Sequence, residues 1–218
     1  MTEVQIVDPR VEDYMRRLAA RYDEPVLLEM EQAAGDRGFP IVGRLVGAML
    51  EILARSVGAR RVFEMGSGFG YSGYWFSRAV GPDGEVHLTD GNPDHERAAT
   101  DYLTRAGLAG PVRFHVGDAI EELGNVDGTF DVVFNDIDKQ DYPRAWEVAR
   151  DRVRVGGLYI CDNVIQAGGS NAATREDEGH AGWAEAIDAH NRAVATDESF
   201  LSMMIPIRDG DLVALRIA

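Results

Sequence analysis

Short apolar runs alternate along this chain with longer stretches of mixed polarity. Five runs are β-branched or aromatic, five to seven residues long, and bounded by turn formers. They are Arg61 to Met65, Glu85 to Asp90, Val112 to Val116, Phe130 to Asp136 and Leu158 to Asp162. That pattern predicts buried strands. The segments between them predict helices: Tyr71 onward, Asn92-Pro93 to Ala106 with Gly107 as its stop, and Tyr142 to Arg152. Strand, helix, strand implies right-handed crossovers and parallel pairing. Trp183 to Ala195 also predicts a helix. Phe200 to Ile207 and Leu212 to Ile217 flank Arg208-Asp209-Gly210-Asp211, a hairpin signal. The expected fold class is therefore α/β: a single doubly wound, Rossmann-like sheet ending in an antiparallel hairpin.

Three helices are expected ahead of the first strand. Pro9 to Tyr22 places Val11, Tyr14, Met15 and Leu18 at helical spacing. Pro25 to Ala34 opens on proline, with Gly35 and Gly38 as its end. Leu45 to Val57 puts Leu45, Val46, Met49, Ile52 and Leu53 on one face, with Gly58 as its stop. These helices are expected to act as a lid or a dimer element. No linker or repeat interrupts the chain. Residues 1–218 are expected to form one domain, with N-terminal helices over 1–58 and a sheet core over 60–218. The polar, Gly-rich stretch 168–179 is a candidate mobile loop or lid.

The chemistry gathers where apolar runs end in acids. Asp136 closes the fourth strand and Asp162-Asn163 closes the fifth. If the two strands are neighbours, their ends lie about 4.8 Å apart, at the carboxyl edge where open α/β sheets bind ligands. Three oxygen-bearing side chains there make a hard-cation site for Mg²⁺, Ca²⁺ or Mn²⁺. Each Asp by itself also reads as a strand-end cap. Lys139 is the only lysine among 22 basic residues. A lysine can act as a base once its surroundings lower its pKa, whereas an arginine cannot. The plainer reading is a surface lysine pairing with Asp138 or Asp141. After the first strand, Gly66-Ser67-Gly68-Phe69-Gly70 allows close backbone approach to a ligand, and the helix from Tyr71 offers free N–H groups. It is not the dinucleotide fingerprint, because Tyr71 stands where that pattern needs its third glycine. Asp90, ending the second strand, matches the acid that grips ribose hydroxyls in nucleotide-type sites.

Composition narrows the function. Acids number 37 against 22 bases, a net charge of -15, which argues against nucleic acid or anionic membrane as the main partner. There is no apolar run long enough to span a membrane. One cysteine, Cys161, excludes an internal disulfide framework and fits a cytoplasmic protein. The five histidines show no metal-ligand spacing, and no G-x-S-x-G elbow supports a hydrolase.

Val62 to Ser72, Asp131 to Tyr142 and Cys161-Asp162-Asn163 together resemble the cation-dependent, S-adenosylmethionine-dependent O-methyltransferases, the catechol and caffeoyl-CoA group. The resemblance runs from about Pro9 to the C-terminus. It implies a class I methyltransferase sheet of strand order 3-2-1-4-5-7-6 and S-adenosyl-L-methionine as cofactor. By resemblance, Val42, Gly43, Glu64, Gly66, Tyr71 and Ser72 line the methionine end of the cofactor pocket. Asp90 holds the ribose, and Gly117, Asp118 and Ala119 border the adenine. Asp136, Asp162 and Asn163 bind Mg²⁺, with Asp136 also bordering the cofactor, and Lys139 is the base. The implied acceptor is a small vicinal dihydroxy aromatic, and the implied assembly is a homodimer. Two positions depart from the animal catechol enzymes. Ser202 aligns with their acceptor-gripping acid, and Ile137-Asp138 replaces their His-Trp. A tRNA methyltransferase of the same fold and a non-catalytic cofactor-binding protein are the competing readings.

Overall fold

The computed structural model describes residues 6–178 and 180–218. Helices α1 (Pro9–Leu18), α2 (Pro25–Arg37) and α3 (Gly43–Ser56) precede β1 (Arg61–Met65). Then α4 (Tyr71–Val80), β2 (Glu85–Asp90), α5 (Pro93–Arg105), β3 (Val112–Val116) and α6 (Ala119–Asn125) alternate. They are followed by β4 (Phe130–Asn135), a 3₁₀ turn over Lys139–Asp141, α7 (Tyr142–Ala149) and β5 (Val153–Cys161). Three two-residue strands, β6 (Gln166–Ala167), β7 (Ser170–Asn171) and β8 (Glu176–Asp177), form a small separate sheet. The chain closes with α8 (Trp183–Ala195), β9 (Phe200–Ile205) and β10 (Asp211–Arg216).

The main sheet has seven strands in the order β3-β2-β1-β4-β5-β10-β9. Since β9 and β10 are its sixth and seventh strands, this is the expected 3-2-1-4-5-7-6. The first five strands are parallel, and β10 pairs antiparallel with both β5 and β9. Alternation along the strands feeds two apolar layers. Val62, Val86, Leu88, Phe134 and Ile160 face α2 to α5. Phe63, Met65, Val133, Tyr159 and Cys161 face α6 to α8. Cys161 is thus a buried core thiol, which burial pushes far above its ordinary pKa.

Several local expectations are corrected. Gly35 lies inside α2, and only Gly38, with φ 62°, ends the helix. On α3 the buried stripe is Val46, Leu50 and Ala54, while Ile52 is 58% exposed. This helix is apolar nearly all round, so tertiary packing chose the face. The short helix α6 was not expected; Asp118 nucleates it by accepting from the N–H groups of Ile120 and Glu121. The backbone of 166–177 is not a plain loop, since it folds back on itself as β6 to β8. Helix α1 buries none of its side chains. Val11, Tyr14 and Leu18 stand exposed on its apolar side.

Candidate active site

The cavity at the carboxyl edge of the sheet has a volume of about 650 Å³, large enough for a nucleoside-sized cofactor and a small acceptor together. Its shape starts with backbone. In the loop after β1, Gly66 has φ 82°, and a Cβ there would fall 2.4 Å from the Asp136 carbonyl oxygen. Only glycine lets β1 and β4 end this close together. Gly68 N–H donates to Asp90 Oδ2 at 3.1 Å, and Asn92 N–H donates to Asp90 Oδ1 at 2.7 Å. The acid that ends β2 is therefore fixed in orientation beside the glycine loop.

Below that loop lies Glu64, fully buried, with its Oε1 accepting from the Ser72 hydroxyl. Its other oxygen has no partner among the described residues. Burial, opposed by Ser72 and reinforced by Asp136, raises the Glu64 pKa to about 8. Burial therefore favours its neutral form. Tyr71 lines the cavity and donates its hydroxyl to Glu31 Oε1 at 2.7 Å. Arg44 also holds Glu31, tying α2, α3 and α4 together around the pocket.

The opposite wall comes from the ends of β4 and β5. Their register pairs Asn135 with Cys161, which sets Asp136 and Asp162 side by side. Asn163 follows in the left-handed conformation, φ 55°, and donates its own N–H to Asp162 Oδ1 at 2.7 Å. The Asn163 amide reaches Asp209 Oδ2 at 3.4 Å. Asp162 is raised to about 7 by burial and then by Asp136. Asp211, buried with neither oxygen partnered among the described residues, is raised to about 9 by burial and then by Asp162. Lys139 and Arg208 offset only part of this crowding, and a divalent cation would relieve the rest. Among the described residues no three His, Cys, Asp or Glu side chains converge as a metal cluster. Two carboxylates and the Asn163 amide are the donor set, a fit for a hard cation that keeps other oxygens in its shell.

Lys139 is not a surface lysine. Its side chain is only 10% exposed and pairs with Asp136 at 2.9 Å, not with Asp138 or Asp141. Nζ also donates to Ile137 O at 3.1 Å and stands 5.0 Å from the Tyr142 ring centroid. Burial pushes its pKa down, but Asp136 and Asp162 outweigh this, and the net direction is up. Tyr142 donates its hydroxyl to the Asp162 backbone oxygen at 2.8 Å.

Of the residues singled out from the sequence, Val42, Gly66, Tyr71, Ser72, Asp90, Gly117, Ala119, Asp136, Lys139, Asp162 and Asn163 line this cavity. Three do not. Glu64 sits behind Ser72, Gly43 faces a neighbouring groove, and Asp118 spends its carboxylate capping α6. Ser202 lies within β9 and outside the lining, opposite Ala214. Sequence reasoning missed Phe39, His180, Trp183, Arg208 and Asp209, which complete the walls. Asp209 and Arg208 sat inside a segment legible only as a turn.

The O-methyltransferase family pattern matches residues 19–217. A catechol O-methyltransferase of Mycobacterium tuberculosis is 36% identical over 150 residues, covering 67% of this chain and 68% of that one. A catechol O-methyltransferase of Niastella koreensis is 29% identical over 205 residues, covering 90% and 91%. Among solved structures, the O-methyltransferase TomG of Streptomyces achromogenes, involved in tomaymycin synthesis and solved with S-adenosylmethionine, superposes with a TM-score of 0.79. It is 29% identical and covers 90% of this chain and 91% of its own. This chain belongs to the O-methyltransferase family.

Proposed function

We propose that the protein is an S-adenosylmethionine-dependent, divalent-cation-dependent O-methyltransferase of a small vicinal dihydroxy aromatic. One observation carries this reading. The β4–β5 register brings Asp136, Asp162 and Asn163 onto one cavity wall beside a buried Lys139, facing the Gly66 to Ser72 loop. When bound, the cofactor supplies an electrophilic methyl group, and the cation lowers the pKa of the acceptor hydroxyl. The chain's own residues do the rest. Asp136, Asp162 and Asn163 hold the cation. Asp90 takes the ribose, while Gly117 and Ala119 border the adenine and Asp118 supports that edge as the α6 cap. Val42, Gly66, Tyr71 and Ser72 enclose the methionine part, Gly43 borders it from the neighbouring groove, and Glu64 backs that wall through its bond to Ser72.

Lys139 is the base. In the bare site its ammonium is stabilised by Asp136. Once that carboxylate is engaged elsewhere, burial remains and favours the neutral amine. Nζ, held by Ile137 O and the Tyr142 ring, then removes the hydroxyl proton. Alignment of the reacting atoms within the closed wall adds an effect that can reach about 7–11 kcal/mol.

The test is methyl transfer to catechols, caffeoyl esters and flavonoids, read by mass, with Mg²⁺ and with EDTA. Transfer indifferent to EDTA would remove the cation from the reading. The net charge of -15 weighs against tRNA as acceptor. No helix among the described residues is long and apolar enough to cross a membrane. The chain acts as one domain in the cytoplasm, where a lone thiol such as Cys161 stays reduced. The uncovered apolar side of α1 supports a homodimer, which sedimentation would check.

A further inference from the structure

One buried acid near the cavity has no part in the reaction above. Asp211 opens β10 and is fully buried, and neither of its oxygens meets a donor among the described residues. An aspartate after a turn glycine usually accepts from nearby backbone N–H groups. This one accepts from none, so a turn-forming role does not account for it. The sheet fixes where it points. The β5–β10 register, which pairs Leu212 with Cys161, carries on to set Asp211 opposite Asp162. The β4–β5 register, which pairs Asn135 with Cys161, sets Asp136 on the other side of Asp162. Leu212 and Cys161 face α6 to α8, so alternation turns all three acids to the opposite face of the sheet. Three carboxyl groups therefore stand abreast on neighbouring strands, their Cβ atoms about 5 Å apart.

The neighbouring acids have partners. Asp136 holds Lys139 Nζ at 2.9 Å, and Asp162 accepts the Asn163 N–H at 2.7 Å. Asp209 spends its carboxylate on the Asn163 and Gln166 amides. Arg208, the nearby guanidinium, donates to Ile41 O at 2.7 Å and makes no hydrogen bond to Asp211. Like charges directly opposite each other in an antiparallel pair are destabilising. The bare native state either bears that repulsion or holds a proton that the unfolded chain releases, and each alternative costs stability. Asp211 does not line the cavity, so its charge reaches an ion there across the strand pair, past Asp162.

We infer that Asp211 is a positioning residue of the cation site. Acting through Asp162 across the β5–β10 pair, it strengthens the hold on a divalent cation and weakens the native state when the cation is absent. This rests on the cation-dependent reaction proposed above. A divalent ion held by Asp136, Asp162 and Asn163 would bring two positive charges to the row of acids and turn a costly arrangement into an attractive one. The cation thereby becomes part of what keeps β5 and β10 together.

The experiment is Mg²⁺ binding by calorimetry, with thermal unfolding in the presence and absence of Mg²⁺, on the full chain at pH 8. The variants are Asp211→Asn, close in shape, and Asp211→Val, apolar and suited to a strand. Both should bind Mg²⁺ about tenfold or more weakly than the unaltered protein. Without Mg²⁺, Asp211→Asn should melt about 2 °C or more higher. The opposite signs are what a packing role would not produce, since losing a packed side chain lowers Tm and leaves ion affinity alone. Unchanged affinity in either variant, or a lowered Tm of Asp211→Asn without Mg²⁺, overturns the inference. Asp136→Asn run alongside tells the two proposals apart. If it loses Mg²⁺ while the Asp211 variants keep it, the role of Asp211 falls and the cation site stands. If the unaltered protein takes up no Mg²⁺ and its Tm does not respond, the cation falls from the proposed reaction and Asp211 with it.

Discussion

The two walls of the cavity are made differently. The wall after β1 is backbone: glycines with positive φ, N–H groups, and one carboxylate, Asp90, pinned by two of them. The wall at the ends of β4 and β5 is side chain: crowded carboxylates, one amide and one buried amine. A backbone wall recognises shape and is broken by adding atoms. A side-chain wall does chemistry and is broken by removing charge.

The largest effects are expected on the side-chain wall. Lys139→Ala should lower kcat by about 10²–10⁴-fold, the usual worth of a positioned base, with a smaller change in cofactor affinity. Lys139→Arg at normal turnover would end the base assignment. Asp136→Ala should cost as much and also abolish the response of any residual activity to Mg²⁺.

On the backbone wall, Gly66→Ala should cost about 2–4 kcal/mol of stability by chemical denaturation. It combines a positive φ with a Cβ driven into the Asp136 carbonyl. If Gly66→Ala lost turnover with stability intact, the loop would be a chemical element and not a steric one.

The pH dependence separates the walls further. His190 is buried and neutral. Its Nδ1 pairs with Asn191 Oδ1 at 3.1 Å, and its Nε2 with the Tyr159 hydroxyl at 2.9 Å. Burial lowers its pKa to about 4. Below pH 6.5 the unfolded chain takes a proton that the native state refuses down to about pH 4. Stability therefore falls as pH drops through that window, by about 3 kcal/mol in all. His190→Gln should remove that slope, seen as the difference between the two proteins' denaturation curves. The acids run the other way. Asp162 and Asp211, with pKa values of about 7 and 9, keep protons that the unfolded chain releases near pH 4. Their stabilisation is full below about pH 4 and is lost as pH rises, by about pH 7 for Asp162 and about pH 9 for Asp211. Mg²⁺ should accordingly raise Tm more at pH 8 than at pH 5; an equal rise at both would place the cation elsewhere.

The smallest effect is expected for Tyr142→Phe. It deletes the hydroxyl bond to the Asp162 carbonyl but keeps the ring beside Lys139. A loss of about 1 kcal/mol in stability is the scale of one hydrogen bond.

The strands and their carboxyl ends were legible because they rest on local periodicity, whereas the order 3-2-1-4-5-7-6 was implied by the family resemblance. Apolar runs ending in Asp136 and Asp162 announce both the strands and the acids at their tips. Some expectations failed where local signals were degenerate. Helix α3 carries apolar residues on nearly every side, so Leu45, Met49 and Ile52 competed with Val46, Leu50 and Ala54, and only the position of α4 and the sheet decided. Asp118 stood beside the expected adenine edge, yet its carboxylate went to two N–H groups of a helix that the sequence reading had not foreseen.

Sequence alone determined which acids, glycines and single lysine could meet at one sheet edge, because covalent order and right-handed crossovers leave few ways to arrange these strands. Tertiary structure alone decided how they meet. It buried Lys139 against Asp136, left one Glu64 oxygen unpartnered, and carried Arg208 across 167 positions of chain to the Ile41 carbonyl. Those outcomes depend on burial and on distances between segments remote in sequence, and no local pattern of residues encodes either one.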